Sequence, residues 1–443
     1  MATISDLPAE LLQQLLQNFE DDKATLCQLC LVSPLFAIVA QELLLRHLDL
    51  SVDPGPTGIE THFDKVIKLL DEKPDLSKHV QGLTIYSPYG WNQSLDSIER
   101  TVNLLSRATS LRSLDFNHEL MAAEHEDHPF IRFLKASPLP RLAKLRIRNP
   151  FIQWAIFLEL LHLPKLELLV LDILPAIPSL TVSPPLSFVY PGSPQRTCWL
   201  RKLDIACWRR QLDSTLNELL VTVTRLEELT LRIETEEFVS ASSFTCIPSD
   251  VTKALKPVQD TLKVLNITGP AISPAGDTSR LDLSAFTRLE KVDVISNFFF
   301  TDDNADDARD GLYKLLPQSL LDLRVSFPSI FPSRTECLLI FKPQMIFIIP
   351  AQVVTLSPAT LNWLSELAVN KAACFPNLRN VFLGECYGRR FEERGCYKWG
   401  FKEDLQAQLD DNSIATQYWV RKVPSDDETS EWIQAGLGIG DLI

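Results

Sequence analysis

The sequence predicts an α/β chain: a short all-helical segment leading directly into a solenoid with a curved parallel sheet and helices on its convex side. Three observations predict it. The first 50 residues are dense in leucine and carry helix-starting signals, one strand-like phrase recurs from Leu48 to Leu383, and helix-period segments lie between many of its copies.

The opening segment holds three short helices. Pro8 fits a first helical position, where its fixed φ is pre-organised and its missing N–H would be an orphan in any case. Glu10 follows in the first turn, where a carboxylate suits the positive end of the helix dipole. Leu11, Leu12, Leu15, Leu16 and Phe19 then form one wide apolar face. A second helix over roughly 22–31 turns Leu26, Leu29 and Cys30 inward. Ser33-Pro34 is a cap followed by a proline, which opens a third helix carrying Leu35, Phe36, Val39, Leu43 and Leu44. A unit this small rarely buries enough surface to fold alone. It nevertheless has more leucine than a private core would use, and the surplus points to a partner surface.

The recurring phrase is an apolar residue, two others, an apolar residue, one other and an apolar residue. It appears as VQGLTI, LRSLDF, LAKLRI, LELLVL, LRKLDI, LEELTL, LKVLNI, LEKVDV, LLDLRV and LRNVFL, with a shortened first copy in RHLDL. The steps between the eleven copies are 35, 31, 31, 24, 34, 26, 36, 27, 31 and 58 residues. Alternation of apolar and polar residues is the strand signal. Helix-period segments lie between copies at Phe63-Val66-Ile67-Leu70, Ile98-Val102-Leu105, Ile152-Ile156-Leu160, Leu216-Leu219-Leu220-Val223 and Leu361-Leu364-Leu367. One strand and one helix per step is a solenoid unit that buries its apolar face only by stacking on its neighbours. The last, 58-residue step is expected to hide a degenerate repeat near Met345–Ile349 or an insertion.

Leu7-Pro8-x-Glu10-Leu11-Leu12, then Leu26, then Leu31-Val32-Ser33-x-x-Phe36 resembles the F-box, the helical module that docks on the Skp-family adaptor of cullin–RING ubiquitin ligases. The strand-and-helix steps resemble leucine-rich repeats, in the irregular form that accompanies F-boxes. The steps are longer than usual and lack the asparagine or cysteine that normally follows the strand. No asparagine ladder is expected, so successive turns should be held less uniformly. The resemblance divides the chain into an F-box-like module at 1–47, an irregular solenoid at 48–400 and, at 401–443, a helix followed by a disordered acidic and glycine-rich tail. It implies a non-catalytic substrate-recognition subunit of a Skp–cullin–F-box ligase, or alternatively a protein-binding scaffold with no ligase role. Adaptor docking would fall on Leu7, Pro8, Leu11, Leu12, Leu15, Leu16, Leu26, Leu31, Val32 and Phe36, divided between core and partner surface. The target would meet the concave sheet, with Trp208, Arg209 and Arg210 as candidate contacts because exposed Trp and Arg are hot-spot material.

Composition narrows the other classes. A net charge of −14, from 43 basic and 57 acidic residues, argues against a general nucleic-acid binder. The N-terminus has no basic and then apolar signal pattern, and the apolar run Cys337–Val354 is broken by Lys342-Pro343 and Pro350, so no membrane span is expected. Nine cysteines, an odd number set mostly in apolar segments, read as reduced thiols of a cytoplasmic or nuclear protein. Cys27-x-x-Cys30 has metal or redox spacing but no second pair, so packing is expected. His118, His125 and His128 lie among acidic residues with nothing to fix a ligand geometry, and Cys374, Cys386 and Cys396 lack a fourth ligand. Gly436-x-Gly438-x-Gly440 has no strand–helix unit after it and is no dinucleotide loop. Catalytic residues, cofactors and a metal are therefore not expected. The proline-rich stretch Pro175–Pro194 and the acidic run 301–310 read as loops, the latter leading into a helix over Leu312–Leu316.

Overall fold

All eleven strand phrases become strands. The computed structural model of the protein describes residues 7–51, 61–86, 95–117, 132–133, 139–148, 160–172, 198–208, 215–234, 247–269, 278–300, 311–326, 362–384, 396–399 and 403–421. The phrases form β1 (His47–Ser51), β2 (Gly82–Tyr86), β3 (Ser113–Asn117), β4 (Lys144–Ile147), β5 (Leu168–Leu171), β6 (Lys202–Trp208), β7 (Glu228–Glu234), β8 (Val264–Thr268), β9 (Lys291–Ile295), β10 (Asp322–Ser326) and β11 (Asn380–Gly384). A period of two sends the paired apolar residues to one face and the residue between them to the other. None of the paired residues, from Leu48 and Leu50 to Val381 and Leu383, is more than 7% exposed.

The chain divides into two compact units, Met1–Arg232 and Ile233–Ile443. In the first the strand order is β1-β2-β3-β4-β5-β6-β7. Its parallel pairing is in register, so Leu48 stands beside Leu83, then Leu114, Leu145, Leu169 and Leu203. In place of an asparagine ladder, the backbone ladder continues one residue upstream of the strands. Arg112 donates to the Gln81 carbonyl, Glu167 to Ala143, Arg201 to Glu167 and Glu227 to Arg201, all at 2.7 to 2.9 Å.

The N-terminal helices are α1 (Ala9–Gln17), α2 (Lys23–Leu29) and α3 (Pro34–Arg46). Leu12, Leu16, Leu26, Phe36, Val39, Ala40 and Leu43 form their common core, with Leu29, Cys30, Leu35 and Leu44 packed against it. Ser33 caps α3 by accepting from the Phe36 N–H at 3.3 Å, with Pro34 at the first position as expected. Pro8 differs from expectation. Its ψ of 146° is not helical, so it caps α1 from outside and the helix begins at Ala9. The module has no linker: α3 ends at Arg46 and β1 begins at His47. Glu20 lies 3.5 Å from both Arg46 and His47, and Lys23 lies 3.7 Å from Asp49. These contacts tie the α1–α2 region to the first strand.

After β1 come α4 (His62–Glu72) and α5 (Leu95–Arg107), followed later in this unit by α6 (Thr215–Thr222). Phe63, Val66 and Leu70 bury the inner face of α4, and Leu216, Leu219, Leu220 and Val223 do so in and just after α6. Of the expected Ile152-Ile156-Leu160 segment, only Leu160 lies within the described residues, and it is buried. Two ion pairs spaced seven residues apart on each helix join α4 to α5: Asp64 with Arg100 and Asp71 with Arg107. Arg100 also lies over the Phe63 ring, 4.9 Å from its centre.

Asp64 also caps its own helix. Thr61 and Asp64 form a reciprocal capping box, with the Thr61 N–H donating to the Asp64 carboxylate at 3.1 Å and the Asp64 N–H donating to Thr61 Oγ1 at 3.2 Å. Burial raises this carboxyl, but the hydrogen bonds from Thr61 and the Arg100 guanidinium outweigh it and hold it below the ordinary range. Asp64→Ala is therefore expected to cost about 1 kcal/mol near neutral pH. A carboxyl whose folded pKa lies below its unfolded value contributes fully above the unfolded value, about 3.9, and loses that contribution as pH falls through the folded one. Denaturant titrations of the two proteins near pH 7 and near pH 3 should show a gap that closes in acid, and an undiminished gap would contradict this role.

In the second unit the order is β8-β9-β10-β11, then β13 (Ala415–Arg421) and β12 (Cys396–Trp399). Its α-helices among the described residues are α7 (Pro248–Leu255), α8 (Asn362–Cys374) and α9 (Glu403–Asp411). The expected helix at Leu312–Leu316 is a short 3-10 turn, Leu312–Leu315. The helix expected at the start of the C-terminal region is α9, but a strand follows it. β13 (Ala415–Arg421) pairs parallel to β11, and β12 (Cys396–Trp399) closes that edge antiparallel to β13. The sheet therefore runs on to residue 421, beyond the boundary drawn at 400. Thr416 and Tyr418 occupy the register positions beside Val381 and Leu383. A strand with threonine and tyrosine at those two positions does not read as a copy of an aliphatic phrase. The suggested degenerate repeat near Met345–Ile349, the proline-rich stretch, the acidic run and the tail beyond Arg421 lie outside the described residues.

Candidate functional site

Exposed apolar surface collects on the helical module. Among the described residues ten large hydrophobic side chains are exposed, and six of them belong to this module: Leu11, Leu15, Phe19, Leu31, Val32 and Ile38. Leu11, Leu15 and Phe19 follow one another at four-residue spacing, a stripe along α1 and just past its end. Their neighbours Leu12 and Leu16 are at most 1% exposed, so the wide apolar face of α1 is shared between a core side and a solvent side. Leu31 and Val32 occupy the turn between α2 and α3 and are 88% and 64% exposed. Their N–H groups donate to the Gln28 and Leu29 carbonyls, which fixes the turn although their side chains bury little.

The ten residues expected to meet an adaptor therefore separate into two sets. Leu12, Leu16, Leu26 and Phe36 are core residues and cannot face a partner without unfolding the module. Pro8, Leu11, Leu15, Leu31 and Val32 are exposed and Leu7 is half-buried. Two further residues outside that expected set carry exposed apolar side chains on the module: Ile38, 66% exposed within the otherwise core-forming α3, and Phe19, 39% exposed just past α1.

The sheet face opposite the leucines is polar and its charges are largely paired. In the first unit Arg148 grips the Asp115 carboxylate with two nitrogens at 3.0 and 2.7 Å, and this bond raises the guanidinium's pKa further. Asp172 lies 3.4 Å from Arg146 and 3.5 Å from Arg232, while Arg232 also reaches Asp204 at 3.0 Å and the Leu171 carbonyl at 3.2 Å. Arg232, on β7, reaches across β6 to Asp172, which follows β5. In the second unit Arg324 lies 3.6 Å from Asp293 and 4.0 Å from the centre of the Phe382 ring. Asp322 accepts from Asn380 at 2.6 Å and lies 3.3 Å from Lys291. In the second unit these partners occupy matching register positions on neighbouring strands, whereas in the first Arg148 and Asp115, and Arg146 and Asp172, meet diagonally, two residues off register. The phrase alone does not reveal either pattern because it leaves the intervening positions unspecified.

Of the three candidate target contacts, Trp208 is the last residue of β6, while Arg209 and Arg210 lie outside the described residues. His118, His125, His128, Cys386 and the C-terminal glycines also lie outside them. Within the described residues no group of three His, Cys, Asp or Glu side chains is placed to hold a metal. Cys27 is exposed rather than packed inward, and Cys30 is half-buried. Burial, with a smaller effect from neighbouring Cys27, pushes the Cys30 thiol up, and burial does the same to Cys198. Both are therefore poor thiolate nucleophiles at neutral pH. No described helix is long and apolar enough to cross a membrane.

Comparison with protein-family models found no match, and neither did comparison with curated proteins. The likeness of residues 4–50 to the F-box accordingly rests on the sequence alone.

Proposed function

We propose that the chain is a substrate-recruiting subunit of a Skp–cullin–F-box ubiquitin ligase. The observation that carries this reading is the concentration of exposed apolar side chains on the small module whose sequence resembles the F-box, at Leu11, Leu15, Phe19, Leu31, Val32 and Ile38. A Skp-family adaptor would cover them, and the target protein would dock on the repeats. The direct passage of α3 into β1 supports the second half of the reading. A target held on the sheet would be carried at a fixed angle to the adaptor, so the subunit's contribution to ubiquitin transfer is proximity rather than bond chemistry. No cofactor enters this reading.

The discriminating experiment is reconstitution. The full chain is co-purified with a Skp-family adaptor and then offered a neddylatable cullin–RING pair, and the ternary assembly is expected on size-exclusion chromatography. Recovery of adaptor without cullin would favour a protein-binding scaffold that uses the same module and has no ligase role. Failure to recover adaptor would remove both readings.

A further inference from the structure

The N-terminal edge of β3–β7 has the opposite sign to the chain as a whole. The protein carries a net −14, yet the residues that lead into these five strands supply seven exposed cations against three carboxylates. Arg112 stands before β3, Arg141 and Lys144 before and at the start of β4, and Lys165 before β5. Arg201 and Lys202 do the same at β6 and Arg225 at β7. The opposing groups are Glu167, Glu227 and Glu228, and of the seven cations only Lys202 forms an ion pair among the described residues, with Glu228 at 2.7 Å. The backbone ladder that continues upstream of the strands fixes the spacing of this row. At its far end the Arg225 guanidinium lies 4.5 Å from the centre of the Trp199 ring, which is itself 44% exposed.

This is the reverse of the sheet face next to it, where Arg146, Arg148 and Arg232 are matched to Asp115, Asp172 and Asp204. On the edge the positive charge is left for something else to meet. We infer that it docks an acidic, extended segment of a partner protein, with an apolar side chain of that segment against Trp199. Five strands at about 4.8 Å spacing span about 19 Å, the length of about six residues in extended conformation. Carboxylates suit the row because arginine forks bind them in pairs, and a peptide can space its acids to avoid Glu167 and Glu227. A nucleic acid presents an unbroken line of phosphates and meets the long-range repulsion of the whole chain. The inference deepens the reading of the repeats as a target-binding scaffold and does not depend on the helical module.

The test uses the full chain and a fluorescein-labelled peptide of sequence Glu-Asp-Glu-Phe-Glu-Asp, read by anisotropy. Binding should weaken with added salt, and Arg141→Glu combined with Lys165→Glu should weaken it at least about tenfold. Arg141→Gln with Lys165→Gln should give an intermediate loss at an unchanged melting temperature, which separates charge from folding. Arg148→Glu, on the sheet face, should leave binding within about twofold. Absence of peptide binding, or binding indifferent to both double variants, overturns the inference. So does tighter binding of a fifteen-nucleotide oligothymidylate that is lost in the same variants, since it assigns the edge to nucleic acid. Adaptor capture measured on the same preparations keeps the two readings apart: its loss with peptide binding intact fails the ligase reading alone.

Discussion

Leu11→Asp combined with Leu31→Asp is expected to abolish adaptor capture while leaving the module folded. Leu11 is 49% and Leu31 88% exposed, so neither contributes much to the internal core. Surface replacements of this kind usually change stability by no more than about 0.5 kcal/mol each. In a covered interface the same changes remove two apolar anchors and strand two carboxylates away from water. Anchors of that kind cost about 2 kcal/mol or more each on truncation, and unpaired buried charge adds to it, so affinity should fall by at least about a hundredfold. Leu16→Ala and Leu26→Ala make the contrast. Both residues are at most 1% exposed, and each truncation should cost about 2–5 kcal/mol by leaving a cavity. They would weaken capture by melting the module, visible as a lost thermal transition. Titration with purified adaptor alongside melting curves distinguishes the two sets, and tight binding by the folded double aspartate variant would sink the docking surface.

That contrast also shows where the sequence is legible and where it stops. The strand phrase located eleven strands because each needs only two inward residues, and period two fixes which they are. Leu203 and Ile205 are as buried as Leu114 and Phe116, although the steps around them differ in length. β13 escaped because its register partners of Val381 and Leu383 are Thr416 and Tyr418. On the module, pattern found the apolar face of α1 but not its division, since Leu11 and Leu12 are equivalent as letters and differ only in what packs on them. Pro8 was misplaced by one position because a proline is compatible both with a first helical residue and with the extended residue before it, and only its ψ decides. The charge pairs from Asp115 to Arg232 and the basic edge beside them come from strand register. That property appears once the parallel stacking is known, because partners such as Arg232 and Asp172 are 60 residues apart.

Register also makes two glycines unequal, and Gly269→Ala is expected to be the more damaging change by a wide margin. Gly269 follows β8 with φ at +109°, a region that side-chain-bearing residues rarely enter. A Cβ there would fall 2.0 Å from the Ile233 carbonyl oxygen and 2.8 Å from its carbon. Both obstacles are backbone, so relief requires moving a strand, and the cost should reach about 3–5 kcal/mol. At roughly 2–4 °C per kcal/mol for a unit of this size, the melting temperature should drop by about ten degrees. Gly82→Ala meets an apparently similar obstacle, the His47 Nδ1 atom at 2.2 Å. Here the atom belongs to a side chain that is 61% exposed and can rotate away. The displaced ring gives up its 3.5 Å contact with Glu20, a surface interaction of about 1 kcal/mol at most. Melting curves of the two variants decide the point, and a larger loss in Gly82→Ala would mean that the His47 side chain is locked in place. In that case the junction between α3 and β1 is stiffer than its exposure implies. Gly82→Ala thus probes how rigidly the helical module is aimed relative to the first strand, while Gly269→Ala probes the repeat stack itself.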